Sequence, residues 1–155
     1  MAGPRWLDDE EARAWRGFLR MHQVLRAELE RELSRETGLS LADYEVLVNL
    51  SEADGGRLRM WELADALQWS RSRLSHQVAR MQDRGLLSRE ECPTDARGAF
   101  AVLTPAGLAA IERAAPGHLA GVRRHLFDRL TPEQVRALIE LSEAVLPPVP
   151  GAAPS

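Results

Sequence analysis

Between Ser70 and Arg89 the chain places Arg71, Arg73, Arg80, Arg84 and Arg89 with a single acidic residue, Asp83. A guanidinium is permanently charged and presents a planar fork of N–H donors, which suits phosphate oxygens and the O6/N7 edge of guanine. Interleaved with these arginines are Ser70, Ser72, Ser75, His76 and Gln77, side chains short or polar enough to let a helix come close to base edges. Further along, Asp95 and Arg97 stand two apart in Cys92-Pro93-Thr94-Asp95-Ala96-Arg97-Gly98, just before the apolar run Ala99 to Leu103. Taken singly, each feature has a plain alternative: a solvated helix face for the arginines, a turn former and a surface charge for Asp95 and Arg97. The order of the elements that carry them decides between the two.

Those elements are mostly helical. From Glu10 to Ser34, Trp15, Phe18, Leu19, His22, Leu25, Leu29 and Leu33 recur at helical spacing and predict a long amphipathic helix ended by Gly38. Ser40 can cap a second helix reaching about Glu52, with Tyr44, Leu47, Val48 and Leu50 turned inward, before Asp54-Gly55-Gly56 breaks it. Arg57-Leu58-Arg59 has room for only a small strand. A third helix over Met60 to Leu67 and a fourth over Ser70 to Arg84 are separated by Gln68 and Trp69 alone, which is helix-turn-helix spacing. At about 100° per residue, Leu74, Val78 and Met81 form the buried stripe of the fourth helix, and Ser72, Arg73, His76, Ala79 and Arg80 lie opposite. Leu86 to Glu91 and Ala99 to Leu103 can then pair as a hairpin, a wing beside the fourth helix with Arg97 at its tip and Asp95 bracing it. A fifth helix from Pro105 to about Leu126, bent near Pro116-Gly117, and a sixth opened by the Thr131-Pro132-Glu133-Gln134 capping box complete the chain.

Length and composition agree with this class. The chain has 155 residues, 45% of them hydrophobic, as expected of one folded domain or one subunit of an intertwined oligomer. The N-terminal stretch, with Asp8, Asp9, Glu10 and Glu11, is neither a signal peptide nor an anchor, and no apolar run approaches the roughly 20 residues of a membrane span. The net charge of -3 is unevenly spread: residues 1 to 56 hold 7 Arg against 12 acids, whereas residues 57 to 97 hold 8 against 6. All 20 basic residues are arginine. The excess of positive charge therefore falls on the segment that includes the fourth helix and the wing.

The run GRLRMWELADALQWSRSRLSHQVARMQDRGLLSRE, followed by DAR and AVLTPAG, resembles the MarR (multiple antibiotic resistance regulator) family of bacterial transcription factors. Asp95, Arg97, Leu103, Thr104 and Gly107 match that family's D-x-R, five residues, L-T-x-x-G pattern; Glu62-Leu63-Ala64 and Arg84-Gly85-Leu86 match two further landmarks. Trp69 and the reading segment Ser70 to Gln77 are less typical. The resemblance implies a mainly α fold with a small β wing: a winged helix-turn-helix over residues 40–103, flanked by dimerisation helices at 1–39 and 104–146; the Pro/Ala composition of 147–155 predicts a disordered tail. It implies a cytoplasmic homodimer that binds double-stranded DNA, usually as a repressor, with Ser70, Arg71, Ser72, Arg73, Ser75, His76, Gln77, Arg80, Asp95 and Arg97 as DNA contacts. The apolar stripe Val135, Leu138, Ile139, Val145 and Leu146 of the last helix, which one small domain cannot easily cover, fits a partner chain.

Relatives in this family often take small anionic or aromatic effectors between the dimer helices and the winged domain. Trp15, Phe18, His22, Tyr44 and Trp61 are the candidates to line such a crevice, with ordinary core packing as the alternative. Cys92 offers a thiol sensor as another alternative, and a dimeric adaptor that does not bind DNA is a third. An enzymatic reading finds little: His22, His76, His118 and His125 lack zinc-motif spacing, there is no phosphate-binding glycine loop, and neither a metal nor a cofactor is expected.

Overall fold

The computed structural model describes residues 3–92, 94 and 98–147. Six helices run over α1 (Asp9–Thr37), α2 (Leu41–Glu52), α3 (Met60–Leu67), α4 (Arg71–Asp83), α5 (Pro105–His125) and α6 (Pro132–Val145). Three short strands, β1 (Arg57–Arg59), β2 (Leu87–Glu90) and β3 (Phe100–Leu103), make an antiparallel sheet in the order β1-β3-β2. β3 is central, pairing Leu58 with Ala101 on one side and Arg89 with Ala101 on the other. The wing hairpin is thus backed by a third strand, and the fold is a winged helix.

The helix starts follow from their caps. Asp8, Ser40, Ser70, Thr104 and Thr131 each accept a hydrogen bond from the backbone N–H three residues on, satisfying a donor that the first turn leaves orphaned. The core lies between α2, α3, α4 and the sheet, around Val46, Leu47, Leu50, Leu63, Leu74, Val78, Met81, Leu87 and Ala101. α5 joins that core through Ala110, Ile111 and Ala114 and continues as helix through Pro116, where the sequence suggests a bend.

α1 spans about 43 Å at 1.5 Å per residue, and its buried residues, Leu29 and Leu33, lie in its C-terminal half. Its carboxylate Glu32 accepts bonds from Arg124 Nη2 and His125 Nε2, both at 2.8 Å. The bond from His125, then Arg124, holds the Glu32 carboxyl below its ordinary range. A Cβ at Gly121 would stand 2.8 Å from Glu32 Oε2 and 3.2 Å from Leu29 Cδ2, both ends of side chains that would have to shift. His118 packs against Tyr44 with ring centroids 4.2 Å apart and planes tilted by 37°, and burial pushes its imidazole pKa down. Burial likewise pushes the Tyr44 phenol up.

The rest of the apolar surface is uncovered. Trp6, Trp15, Phe18, Met21 and Val24 are exposed near the N-terminus, as are Leu119, Phe127, Ile139, Leu141, Val145 and Leu146 near the C-terminus. No residue of α6 is buried. Among the described residues no helix is long and apolar enough to cross a membrane. Pro147 is exposed, and the remainder of the Pro/Ala tail lies outside the described residues.

Candidate nucleic-acid interface

Three residues, Gln68, Trp69 and Ser70, separate α3 from α4. Gln68 adopts the left-handed conformation (φ 54°) that reverses the chain, and Ser70 then caps α4 by accepting from the Arg73 N–H at 3.2 Å. Leu74, Val78 and Met81 anchor the helix in the core. This sets Arg71, Ser72, Arg73, His76 and Arg80 outward, all exposed, with Ser70 exposed at the cap and Ser75 half-buried at the edge of the face. α4 therefore presents small, polar and cationic groups on one side and an apolar stripe on the other.

Gln77 departs from this pattern. It is 5% exposed and faces inward, donating from Nε2 to Asp43 Oδ1 at 2.6 Å and accepting at Oε1 from Arg80 Nη2 at 2.5 Å. A base edge cannot reach it, so it is withdrawn from the DNA-contact set. On the helical wheel it falls midway between buried Met81 and exposed Arg73, about 40° from each, so the angle alone does not decide its burial.

Asp43, on α2, is the centre of the arrangement behind α4, and the sequence did not single it out. Only 4% exposed, it accepts from Gln77 at Oδ1 and from Arg84 Nη1 at 2.7 Å and the Ser40 N–H at 2.9 Å at Oδ2. Arg84 also donates from Nη2 to the Gly38 carbonyl at 3.3 Å. One buried carboxylate thus fixes both the middle and the end of α4 against the first two helices. Its partners lie 34 and 41 residues away, beyond any local spacing rule.

Arg73 folds back over the Trp69 ring, with Cζ 4.1 Å from the centroid. On the sheet, Arg57 and Arg59 stand 4.1 and 4.8 Å from the Phe100 centroid, and the Arg59 guanidinium lies against Gly98 at the foot of the wing. Asp95 and Arg97, the expected wing-tip pair, lie outside the described residues. Cys92 is half-buried, its Sγ 3.4 Å from Thr94 Oγ1. Among the described residues no group of three or more His, Cys, Asp or Glu side chains could hold a metal ion.

The five candidate crevice residues do not converge. Trp15 and Phe18 stack on each other, centroids 6.0 Å apart, while remaining 52% and 55% exposed on the free half of α1. Tyr44 is buried against His118, and Trp61 is exposed on α3. Trp15, Phe18 and His22 thus lie along α1, Tyr44 on α2 and Trp61 on α3. Among the described residues His22 borders an open polar crevice of about 490 Å³ between α1 and the α3–α4 turn. Its other walls are Arg26, Glu45, Ala66, Leu67, Gln68, Trp69 and Arg73, with Arg26 paired to Glu45 at 2.7 Å.

Comparison with known proteins agrees with this geometry. Residues 37–98 match the model of the MarR family. The chain is 46% identical to AbsC, a MarR family transcriptional regulator from Streptomyces coelicolor, covering 92% of this chain and 95% of that one with a TM-score of 0.85. It is also 46% identical to Sco3205 of the same organism, a MarR family transcriptional regulator solved in complex with DNA, over 92% of this chain and 89% of that one, with a TM-score of 0.87. Transcriptional regulator HosA of Escherichia coli O111:H- is 26% identical over 132 residues, 79% of this chain and 96% of HosA.

Proposed function

The chain belongs to the MarR family of transcriptional regulators, and from that premise we propose that it is a cytoplasmic homodimeric repressor binding an inverted-repeat operator. The observation that carries this is α4, where Arg71, Ser72, Arg73, His76 and Arg80 share an exposed face while Leu74, Val78 and Met81 are sunk in the core. A helix so divided fits the major groove, where arginine can donate two bonds to guanine. Sco3205, at 46% identity, was solved in complex with DNA. Asp95 and Arg97 fall in sequence between β2 and β3, and we assign Arg97 to the flanking minor groove and Asp95 to bracing that loop. The uncovered apolar faces of α1 and α6 are assigned to a second copy of the chain.

Selection of bound sequences from a random duplex pool tests the whole reading. Enriched sites should be inverted repeats whose half-site centres lie about one helical turn, roughly 10 base pairs, apart. Enrichment of single half-sites would contradict the dimer. No enrichment at all would favour the adaptor.

A second reading, effector control, is favoured by the crevice between α1 and the α3–α4 turn. It joins His22, Arg26 and Glu45 to Trp69 and Arg73, so that a small aromatic anion able to take the place of Glu45 at Arg26 would also approach Arg73, a residue of the DNA face. Benzoate at millimolar concentration should weaken operator binding by about fivefold or more, the low end of ordinary coupling. His22→Ala should reduce that response. An operator affinity indifferent to benzoate would remove the aromatic-anion assignment without touching the DNA-binding one.

A further inference from the structure

The exposed arginines of α4 are held in different ways. Arg71 has no hydrogen bond or ion pair among the described residues, and Arg80 donates from Nη2 to Oε1 of the buried Gln77 at 2.5 Å. Arg73 alone of these three is held against an aromatic ring. Its backbone N–H donates to the Ser70 cap, and its guanidinium lies over Trp69 four residues earlier. Trp69 itself is anchored: its N–H donates to the Ala64 carbonyl at 2.9 Å and its side chain packs against the core.

We propose that Trp69 is a specificity-determining positioning residue, whose ring fixes the plane of the Arg73 guanidinium for base reading; this rests on the assignment of α4 to the major groove. Stacking engages the face of a guanidinium, whereas bidentate donation to a base uses its in-plane N–H edge. The two are compatible at once, and the indole restricts which direction the donor fork faces. Trp69 adds no charge and needs no contact with DNA. Its effect is confined to the base pair that Arg73 reads.

The test compares wild type, Trp69→Leu, Trp69→Phe, Arg73→Ala and the Trp69→Leu/Arg73→Ala double variant. Each is titrated on the selected operator, on its single-base-pair variants and on a random duplex, over a salt series, with helix content and assembly state verified. Leucine keeps an apolar side chain against the core but removes the ring face; phenylalanine keeps a smaller one. Trp69→Leu should lower discrimination by roughly 2- to 30-fold, the span of a cation–π contact from exposed to desolvated. The loss should fall at the same base pair as in Arg73→Ala, with random-duplex affinity and salt slope unchanged because the charge remains. Phenylalanine should restore most of the preference, and the double variant should match Arg73→Ala alone. Equal weakening on every duplex would reduce Trp69 to a structural residue and overturn the proposal. Tighter operator binding by Trp69→Leu would also overturn it, by showing that the ring withholds Arg73 from DNA. If Arg73→Ala shifts preference at one position and Trp69→Leu does not, only this inference falls. If neither variant shifts preference, Arg73 is no reader, and the inference goes with it.

Discussion

Gly107→Ala should destabilise the fold by about 3 kcal/mol or more, the upper range for forcing atoms into a packed site. A Cβ there would sit 1.9 Å from the Leu86 carbonyl oxygen and 2.9 Å from Leu103 Cδ1. The first obstacle is backbone, so no side-chain rotation relieves it. α5 would have to move away from the turn that follows α4. That turn is already pinned, since Thr104 Oγ1 donates to the Gly85 carbonyl at 2.6 Å, accepts from the Gly107 N–H at 3.0 Å, and the Thr104 N–H donates to Leu86 O at 3.3 Å. Thermal unfolding should drop by about 6–12 °C, taking roughly 2–4 °C per kcal/mol for a chain of this size. Gly17→Ala in α1 is the control: nothing lies within 4 Å of the added methyl, and alanine in a helix interior should be neutral or stabilising by about 0.5–1 kcal/mol. Matching melting curves for Gly107→Ala and wild type would show that the junction is not the tight contact described.

Asp43→Ala should cost about 2–3 kcal/mol and weaken operator binding as well. Removal of the carboxylate strands the Gln77 amide in the core and takes an acceptor from Arg84 and from the Ser40 N–H, with each buried unsatisfied group worth about 1–3 kcal/mol. Arg84 is 44% exposed and recovers some hydration, which keeps the total below that of a fully buried pair. Asp43→Asn should be milder. Its oxygen can keep the Ser40 and Arg84 bonds while its amide donates to a rotated Gln77, at the expense of the bond from Arg80. The expected order for stability and for operator affinity is therefore wild type, Asn, Ala, from highest to lowest. Should Asp43→Ala melt like wild type, the carboxylate is not what seats α4.

Much of this architecture was legible from local rules. Ser40, Ser70, Thr104 and Thr131 announce helix starts, the Leu74, Val78 and Met81 stripe orients α4, and the Gln68-Trp69 spacer shows the helix-turn-helix. What stayed hidden depends on contacts across the sequence. Asp43 reads as an ordinary first-turn acid until Gln77 and Arg84 arrive beside it. Gln77 reads as a polar contact for the same reason. Trp15 and Phe18 share the stripe of Leu29 and Leu33, yet α1 outruns the body of its own chain, so periodicity alone could not tell covered residues from uncovered ones. The Trp69–Arg73 pair spans the start of α4, Trp69 preceding the Ser70 cap and Arg73 lying in the first turn, so no helical spacing rule points to it.

The pairing of α1 with α5 also bears on how the chain is made. Glu32 and His125 are separated by 93 residues, and Arg124 is nearly as distant. A ribosome adding about 5–20 residues per second emits α1 on the order of 5 to 20 s before the helix that receives it. The intervening helices and sheet pack largely on one another, and closing such local contacts is faster than closing distant ones. The contacts of α1 with α2 and those within α2, α3, α4 and the sheet can therefore close first, while Leu29 and Glu32 stay uncovered until α5 arrives.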